Sequence, residues 1–262
     1  MARHRPRKHF GQHFLHDQYV IEQIIDAFNP QPGQQIIEIG PGEGALTFPL
    51  LQCHGELHVI EIDRDLANEI SKQGKDLGVL HVHCHDALNF DFCQVSENHL
   101  RIIGNLPYNI STPLIFHLLE CTDCITDMLF MLQKEVVERL AALPGNKQYG
   151  RLTVMVQSQC QIEKLFAVDQ NAFVPAPKVN SSLVRLIPHQ KPVADILDKQ
   201  DFALIVKKSF AHRRKTLKNT LRDLLDEIQI KSVGINPNAR AEELTLNQFA
   251  GLANLYHNNK NQ

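Results

Sequence analysis

The chain has 262 residues, 43% of them hydrophobic and 21% charged, with a formal net charge of −2 at pH 7. That is ordinary globular composition: it excludes a disordered or fibrous chain, and no apolar run approaches the roughly 20 residues of a membrane helix. Six cysteines in this length do not make a disulfide scaffold, and the basic start Met-Ala-Arg-His-Arg-Pro-Arg-Lys leads into no apolar stretch of a secretory signal, so a reduced, cytoplasmic setting is expected.

The charge is unevenly spread. Arg3, Arg5, Arg7 and Lys8 open the chain without an acid. Residues 9–188 carry 11 basic and 21 acidic groups, net −10, and residues 189–262 carry 12 basic and 8 acidic groups, net +4. An acidic body with basic ends points to a polyanion reached from the ends.

In chain order, residues 35–39, 57–60, 79–84, 100–103 and 128–132 read as strands, with helical spacing between them, as at 66–70 and 113–119. Strand–helix alternation predicts an α/β fold, a Rossmann-like, mostly parallel sheet with helices on both faces. Residues 152–156 and 182–187 follow with no helical pattern between them and are expected to form an antiparallel edge pair. Pro188 and Pro192 bracket a linker. Beyond it, 202–210, 217–228 and 246–255 read as helices. The expected organisation is a catalytic domain over 1–188, with a basic N-terminal segment at 1–16, and a small all-helical domain over 189–262.

Gly40, Gly42 and Gly44 follow the first strand and open a helix at Ala45, a spacing that allows a tight turn and close backbone approach to a ligand. Glu61 ends the second strand, where an acid takes a ribose diol. On spacing alone a nicotinamide dinucleotide and S-adenosylmethionine (SAM) both fit. Charge separates them. A pyrophosphate wants bare backbone N–H groups at a helix start, and Glu38 and Glu43 would repel it. SAM is cationic at its sulfonium and ammonium groups and tolerates these acids. Asp86, just past the third strand, is placed to accept from an adenine amino group.

Asn105, Leu106, Pro107 and Tyr108 follow the fourth strand, at the sheet end where ligands bind in open parallel sheets. This turn resembles the Asn-Pro-Pro-Tyr signature of methyltransferases acting on exocyclic amino groups of bases. An adenine amino nitrogen is a poor nucleophile because its lone pair is conjugated with the ring. The Asn105 side-chain oxygen and the Leu106 carbonyl would hold its two hydrogens. Pro107 stiffens the turn, and Tyr108 offers a stacking face. Taken alone, the same four residues read as a strand-ending turn. In the proline-rich stretch 173–181, Phe173 would stack on the other face of the base, or else be a core phenylalanine, and Lys178 would meet a phosphate.

The stretches 10–15, 38–47, 61–66, 104–111, 133–140, 173–179 and 212–221 occur in order, and together they resemble the ribosomal small-subunit RNA adenine N6-dimethyltransferases of the KsgA type. The resemblance covers nearly the whole chain. It implies a SAM-dependent methyltransferase that dimethylates two adjacent adenosines near the 3′ end of small-subunit rRNA, within a 30S-like precursor particle and as a monomer. By position it implies cofactor contacts at His13, Leu15, Gly40, Glu61, Asp86 and Asn105. The family usually has Asn where this chain has His13, which leaves ring and backbone contacts both open. Macrolide-resistance methyltransferases of large-subunit rRNA share the loop and the turn; the 212–221 stretch favours the small-subunit family. An assembly factor without catalysis would not need Glu61, Asp86 and residues 105–108 intact.

For RNA, residues 207–222 hold Lys207, Lys208, Arg213, Arg214, Lys215, Lys218 and Arg222 and no acid. Read as a helix, Arg214, Lys218 and Arg222 line one face. No metal is expected. Cys121 and Cys124 are a lone pair, read as free thiols. His81, His83 and His85 alternate on one strand face and are read as polar strand residues.

Overall fold

The computed structural model describes residues 12–95 and 99–261. The strands are β1 (Phe14–Leu15), β2 (Gln35–Ile39), β3 (Glu56–Ile60), β4 (Val79–His83), β5 (Leu100–Asn105), β6 (Ile125–Gln133), β7 (Cys160–Val168), β8 (Phe173–Val174) and β9 (Ser181–Pro188). The helices are α1 (Gln18–Phe28), α2 (Thr47–His54), α3 (Arg64–Gly74), α4 (Ser111–Leu118), α5 (Lys134–Leu140), α6 (Arg151–Gln157), α7 (Lys199–Ser209), α8 (Leu217–Thr220), α9 (Glu227–Ser232) and α10 (Leu246–Lys260). Arg3, Arg5, Arg7 and Lys8 lie outside the described residues.

Seven strands form one sheet in the order β4-β3-β2-β5-β6-β9-β7. The first five are parallel, and β9 runs antiparallel to β6. The central strands are near-continuous apolar runs because both of their faces are covered: Ile36, Ile37, Ile39, Ile102 and Ile103 are all buried. The core around them takes in Ile24 and Phe28 of α1, Leu50 and Leu51 of α2, Leu57 and Val59 of β3, and Leu129 of β6. Asp17 caps α1 and Asp63 caps α3, each accepting from a first-turn N–H. Arg101 of β5 is buried in a two-pronged pair with Asp127 of β6, at 2.6 and 2.9 Å. The same guanidinium donates to the Phe28 and Asn29 carbonyls and to Gln34, tying the end of α1 to the sheet. A separate two-stranded sheet pairs β1 with β8, Leu15 opposite Phe173.

The chain divides into two compact units. One runs to Val137 and resumes at Ile162–Pro188; the other holds Glu138–Gln161 and everything from His189 on. The sequence reading divides the chain only at 188/189, whereas α6 and its flanks belong with the C-terminal helices. Residues 152–156 are the reason: they are helical, not an edge strand, and Leu152, Thr153, Val154, Met155 and Val156 are all buried. A short run buried on every side carries no periodicity to separate helix from strand. The edge strand is β7, whose alternating polar residues conceal it.

Residues 217–228 are not one helix. Between α8 and α9 the chain turns, because Asp226 and Gln229 form a reciprocal cap that starts a new helix. Arg214 and Arg222 lie in turns on either side of α8 and do not share a helical face with Lys218. The thiol reading also needs correction: Cys124 is bonded to Cys93, with Cα atoms 5.8 Å apart, while Cys121 is free.

Candidate active site

A cavity opens at the carboxyl ends of the parallel strands. It is lined by residues following β2 (Gly40 to Leu46), β3 (Glu61, Ile62), β4 (His85 to Leu88) and β5 (Leu106 to Ile110), and by residues 12–15 around β1. His13, Leu15, Gly40, Glu61, Asp86, Asn105, Leu106, Pro107 and Tyr108 all line this one cavity. Its described walls include four carboxylic acids, Glu38, Glu43, Glu61 and Asp86, and no lysine or arginine. Hydrogen-bond acceptors of this kind, with no cation among them, suit an adenosine-bearing cation and offer a pyrophosphate no counter-charge.

The glycine loop shapes the floor. Gly42 has φ of +57°, a left-handed conformation that costs other residues more, and it points its N–H at Glu61 Oε2, 3.3 Å away. Gly104 lies where a Cβ would meet the Ile39 carbonyl at 2.6 Å, so β5 reaches the site close beside β2. Glu61 is buried, and its Oε1 accepts from Asp63 N at 2.9 Å. Each carboxylate oxygen keeps a further lone pair for a diol. Burial pushes the Glu61 carboxyl up from its ordinary value, against the pull of the Asp63, Gly42 and Ile62 N–H groups. Glu38 goes further. It is fully enclosed and accepts from Thr47 Oγ1 at 2.6 Å; burial, with the Glu61 charge as a lesser cause, lifts it to about 8. Asp86 caps a short 3₁₀ turn through Leu88 N and also takes the Asn89 amide.

Asn105 is oriented by a residue 92 positions earlier. Its Nδ2 donates to the His13 carbonyl at 3.0 Å. A carbonyl only accepts, so the NH₂ faces His13 and Oδ1 is turned to the cavity side. No described residue donates to Oδ1 or to the Leu106 carbonyl. His13 therefore serves Asn105 through its backbone. Its ring makes a 2.7 Å hydrogen bond with the Pro175 carbonyl and stacks on Tyr108, with centroids 5.5 Å apart. Tyr108 is half-buried, and its hydroxyl is held 2.9 Å from Ser181 Oγ, which is wholly buried. Ser181 and the Pro175 carbonyl escape sequence reading because no motif marks a residue that anchors another.

Phe173 lies in the core in this structure. Its side chain is 2% exposed and belongs to the core around Ile24 and Phe28, while its backbone pairs with Leu15. Lys178 is exposed. In the other unit, Lys207, Lys208, Arg214 and Lys215 are exposed and meet no acid among the described residues. Three of the seven cations are engaged: Lys218 pairs with Glu227 and Arg222 with Asp223, each at 3.4 Å, and Arg213 donates to the Lys147 carbonyl. The acids missing from residues 207–222 thus arrive from just beyond them.

A glycine loop and an Asn-Leu-Pro-Tyr turn at the carboxyl ends of a Rossmann-like sheet define a methyltransferase class of site. The model of the family described as ribosomal RNA adenine dimethylase matches residues 3–258, and the chain belongs to that family. It is 49% identical to the ribosomal RNA small subunit methyltransferase A of Hydrogenovibrio crunogenus, over 99% of this chain and 100% of the relative. It is 52% identical to the protein of that name from Tolumonas auensis, over 96% and 94%. Among solved structures it is similar to a dimethyladenosine transferase from Plasmodium falciparum, with TM-score 0.77 and 28% identity over 92% of this chain and 96% of that one. The 23S rRNA methyltransferase ErmE shares the fold, with TM-score 0.69 and 23% identity over 93% and 99%.

Proposed function

We propose that the protein dimethylates the exocyclic amino groups of two adjacent adenosines near the 3′ end of small-subunit rRNA, with SAM as donor, during assembly of the small ribosomal subunit. The observation that carries this reading is that Asn105 Oδ1 and the Leu106 carbonyl have no donor among the described residues, and that both residues line a cavity walled by acids. When bound, SAM supplies the methyl group. Gly40, Glu61 and Asp86 are the residues that would hold its adenosine part, with Leu15 as an apolar wall. The two acceptors engage the amino hydrogens, so that the nitrogen lone pair leaves conjugation and faces the donor. After one transfer a single N–H remains, and one acceptor is enough to present the nitrogen again. Pro107 keeps the carbonyl in place, and Tyr108, fixed at its hydroxyl and flanked by His13, stacks the extruded base. The product cation sheds its proton to water, so no strong base is needed, and no step calls for a metal.

Lys178, Lys207, Lys208, Arg214 and Lys215 bind RNA phosphates in this reading, with Arg213, Lys218 and Arg222 exchanging their present partners for the backbone. The working form is a monomer in the cytoplasm. Incubating small-subunit particles with labelled SAM and mapping the modified bases tests the whole reading. Label on two adjacent adenosines near the 3′ end supports it; label confined to large-subunit RNA, or none, refutes it.

A further inference from the structure

The edge of the sheet holds a group of side chains that methyl transfer does not use. Glu56 and His58 of β3 share one face, as do His81 and His83 of β4, because side chains two apart point the same way. Parallel pairing sets His58 beside His81 and Ile60 beside His83. The opposite face carries Leu57, Val59, Leu80 and Val82 into the core, so the polar face is fixed toward the outside. His81 Nε2 lies 3.0 Å from Glu56 Oε1. The His58 ring stacks on His81 with centroids 4.3 Å apart. One potential ligand atom from each of Glu56, His58 and His81 lies within 4.8 Å of the other two.

We propose that Glu56, His58 and His81 bind a divalent transition-metal ion of the Zn²⁺ type. Ligand atoms around tetrahedral Zn²⁺ sit about 3.3 Å apart for metal–ligand bonds near 2.05 Å. The Glu56–His81 pair is already near that spacing. The remaining closure falls to side chains that are about half exposed, 51% for Glu56 and 43% for His81, and so free to turn. Two imidazoles and one carboxylate with an open side suit Zn²⁺, Ni²⁺ or Cu²⁺; Mg²⁺ and Ca²⁺ want oxygen throughout. Metal-bound imidazoles characteristically have their other nitrogen hydrogen-bonded. His58 Nδ1 meets His83 Nε2 at 3.1 Å, and His83 is itself wedged edge-on against Phe90. His83 is a positioning residue behind the ligands. The other carboxylate–imidazole cluster, Asp198, Asp201 and His257, offers no such place, because Lys260 Nζ already sits 2.6 Å from Asp201.

The test is titration of the untagged full-length chain with Co²⁺, read by visible absorption, followed by displacement with Zn²⁺. One saturable site is expected. His83→Gln should weaken it about tenfold, and His81→Ala and Glu56→Gln should weaken it further. His212→Ala, an exposed histidine in the other unit, should leave it unchanged. Melting curves without metal show whether each variant is folded, and the half-exposed Glu56 and His81 positions keep the test open should His58→Ala not fold. Equal metal binding by wild type and His81→Ala, or no saturable site in the wild type, overturns the proposal.

Discussion

Glu38 gives the sharpest measurable consequence of the site. Its carboxyl is raised to about 8 by burial, with the Glu61 charge adding to the effect. The unfolded chain releases this proton near the ordinary carboxylate value, so the native state holds a proton that the unfolded state has lost throughout the window between. Stability therefore falls as pH rises from about 4.5 to about 8, and levels off on either side. The full span is worth at most about 5 kcal/mol, with a slope approaching 1.4 kcal/mol per pH unit at mid-window. Glu38→Gln keeps an oxygen for the Thr47 hydroxyl and cannot ionise. The assay is guanidinium unfolding of both proteins at pH 5, 6, 7, 8 and 9, followed by circular dichroism. Other groups titrate in both proteins, so the difference curve is what matters: wild type should lose stability relative to Glu38→Gln across that range. A cationic ligand beside Glu38 would draw the proton off, so SAM binding near pH 7 should release protons from wild type and not from the variant. Parallel stability curves from pH 5 to 9 would refute the reasoning.

Asn105→Ala should cut methyl transfer to small-subunit particles by about a hundredfold or more, the scale of losing one preorganised polar contact, while particle binding holds; normal turnover would remove Asn105 from the chemistry. Glu61→Gln should weaken SAM binding by about tenfold or more in calorimetry with the fold intact, since one acceptor of a charged pair is lost. It leaves only one of the Gly42 and Asp63 N–H groups without an acceptor, whereas Glu61→Ala would strand both. Asp127→Asn should destabilise the protein by about 3 kcal/mol or more, because Arg101 stays buried with its charge uncompensated; an unchanged denaturation midpoint would contradict that. Reversing Arg214 and Lys215 to Glu should weaken particle binding and flatten its salt dependence, with SAM affinity unchanged; equal binding across a salt series would leave these residues as plain solvated surface.

How much of this is legible in the sequence depends on how far apart the deciding residues lie. The buried strands announce themselves because a central parallel strand must be apolar on both faces, and the glycine loop because its backbone geometry needs glycine. Residues 152–156 fail for the converse reason: the same apolar run is compatible with a buried helix, and only its surroundings decide. The break between α8 and α9 is local, set by the reciprocal cap of Asp226 and Gln229. The site shows the same division. Asn105 is found by its motif, but the direction of its amide is set by the His13 carbonyl, 92 residues away. Phe173 reads from its proline-rich context as a stacking ring or a core phenylalanine alike; in the fold its backbone pairs with Leu15 and its side chain is buried. His81 and His83 look like polar strand residues until β3 pairs with β4 and brings His58 and Glu56 alongside. Local chemistry thus identifies which groups are available, and strand register decides which of them meet. A reading that treats each motif separately finds the cofactor cavity, whose residues follow successive strands, and misses the edge cluster, whose members become a set only by pairing.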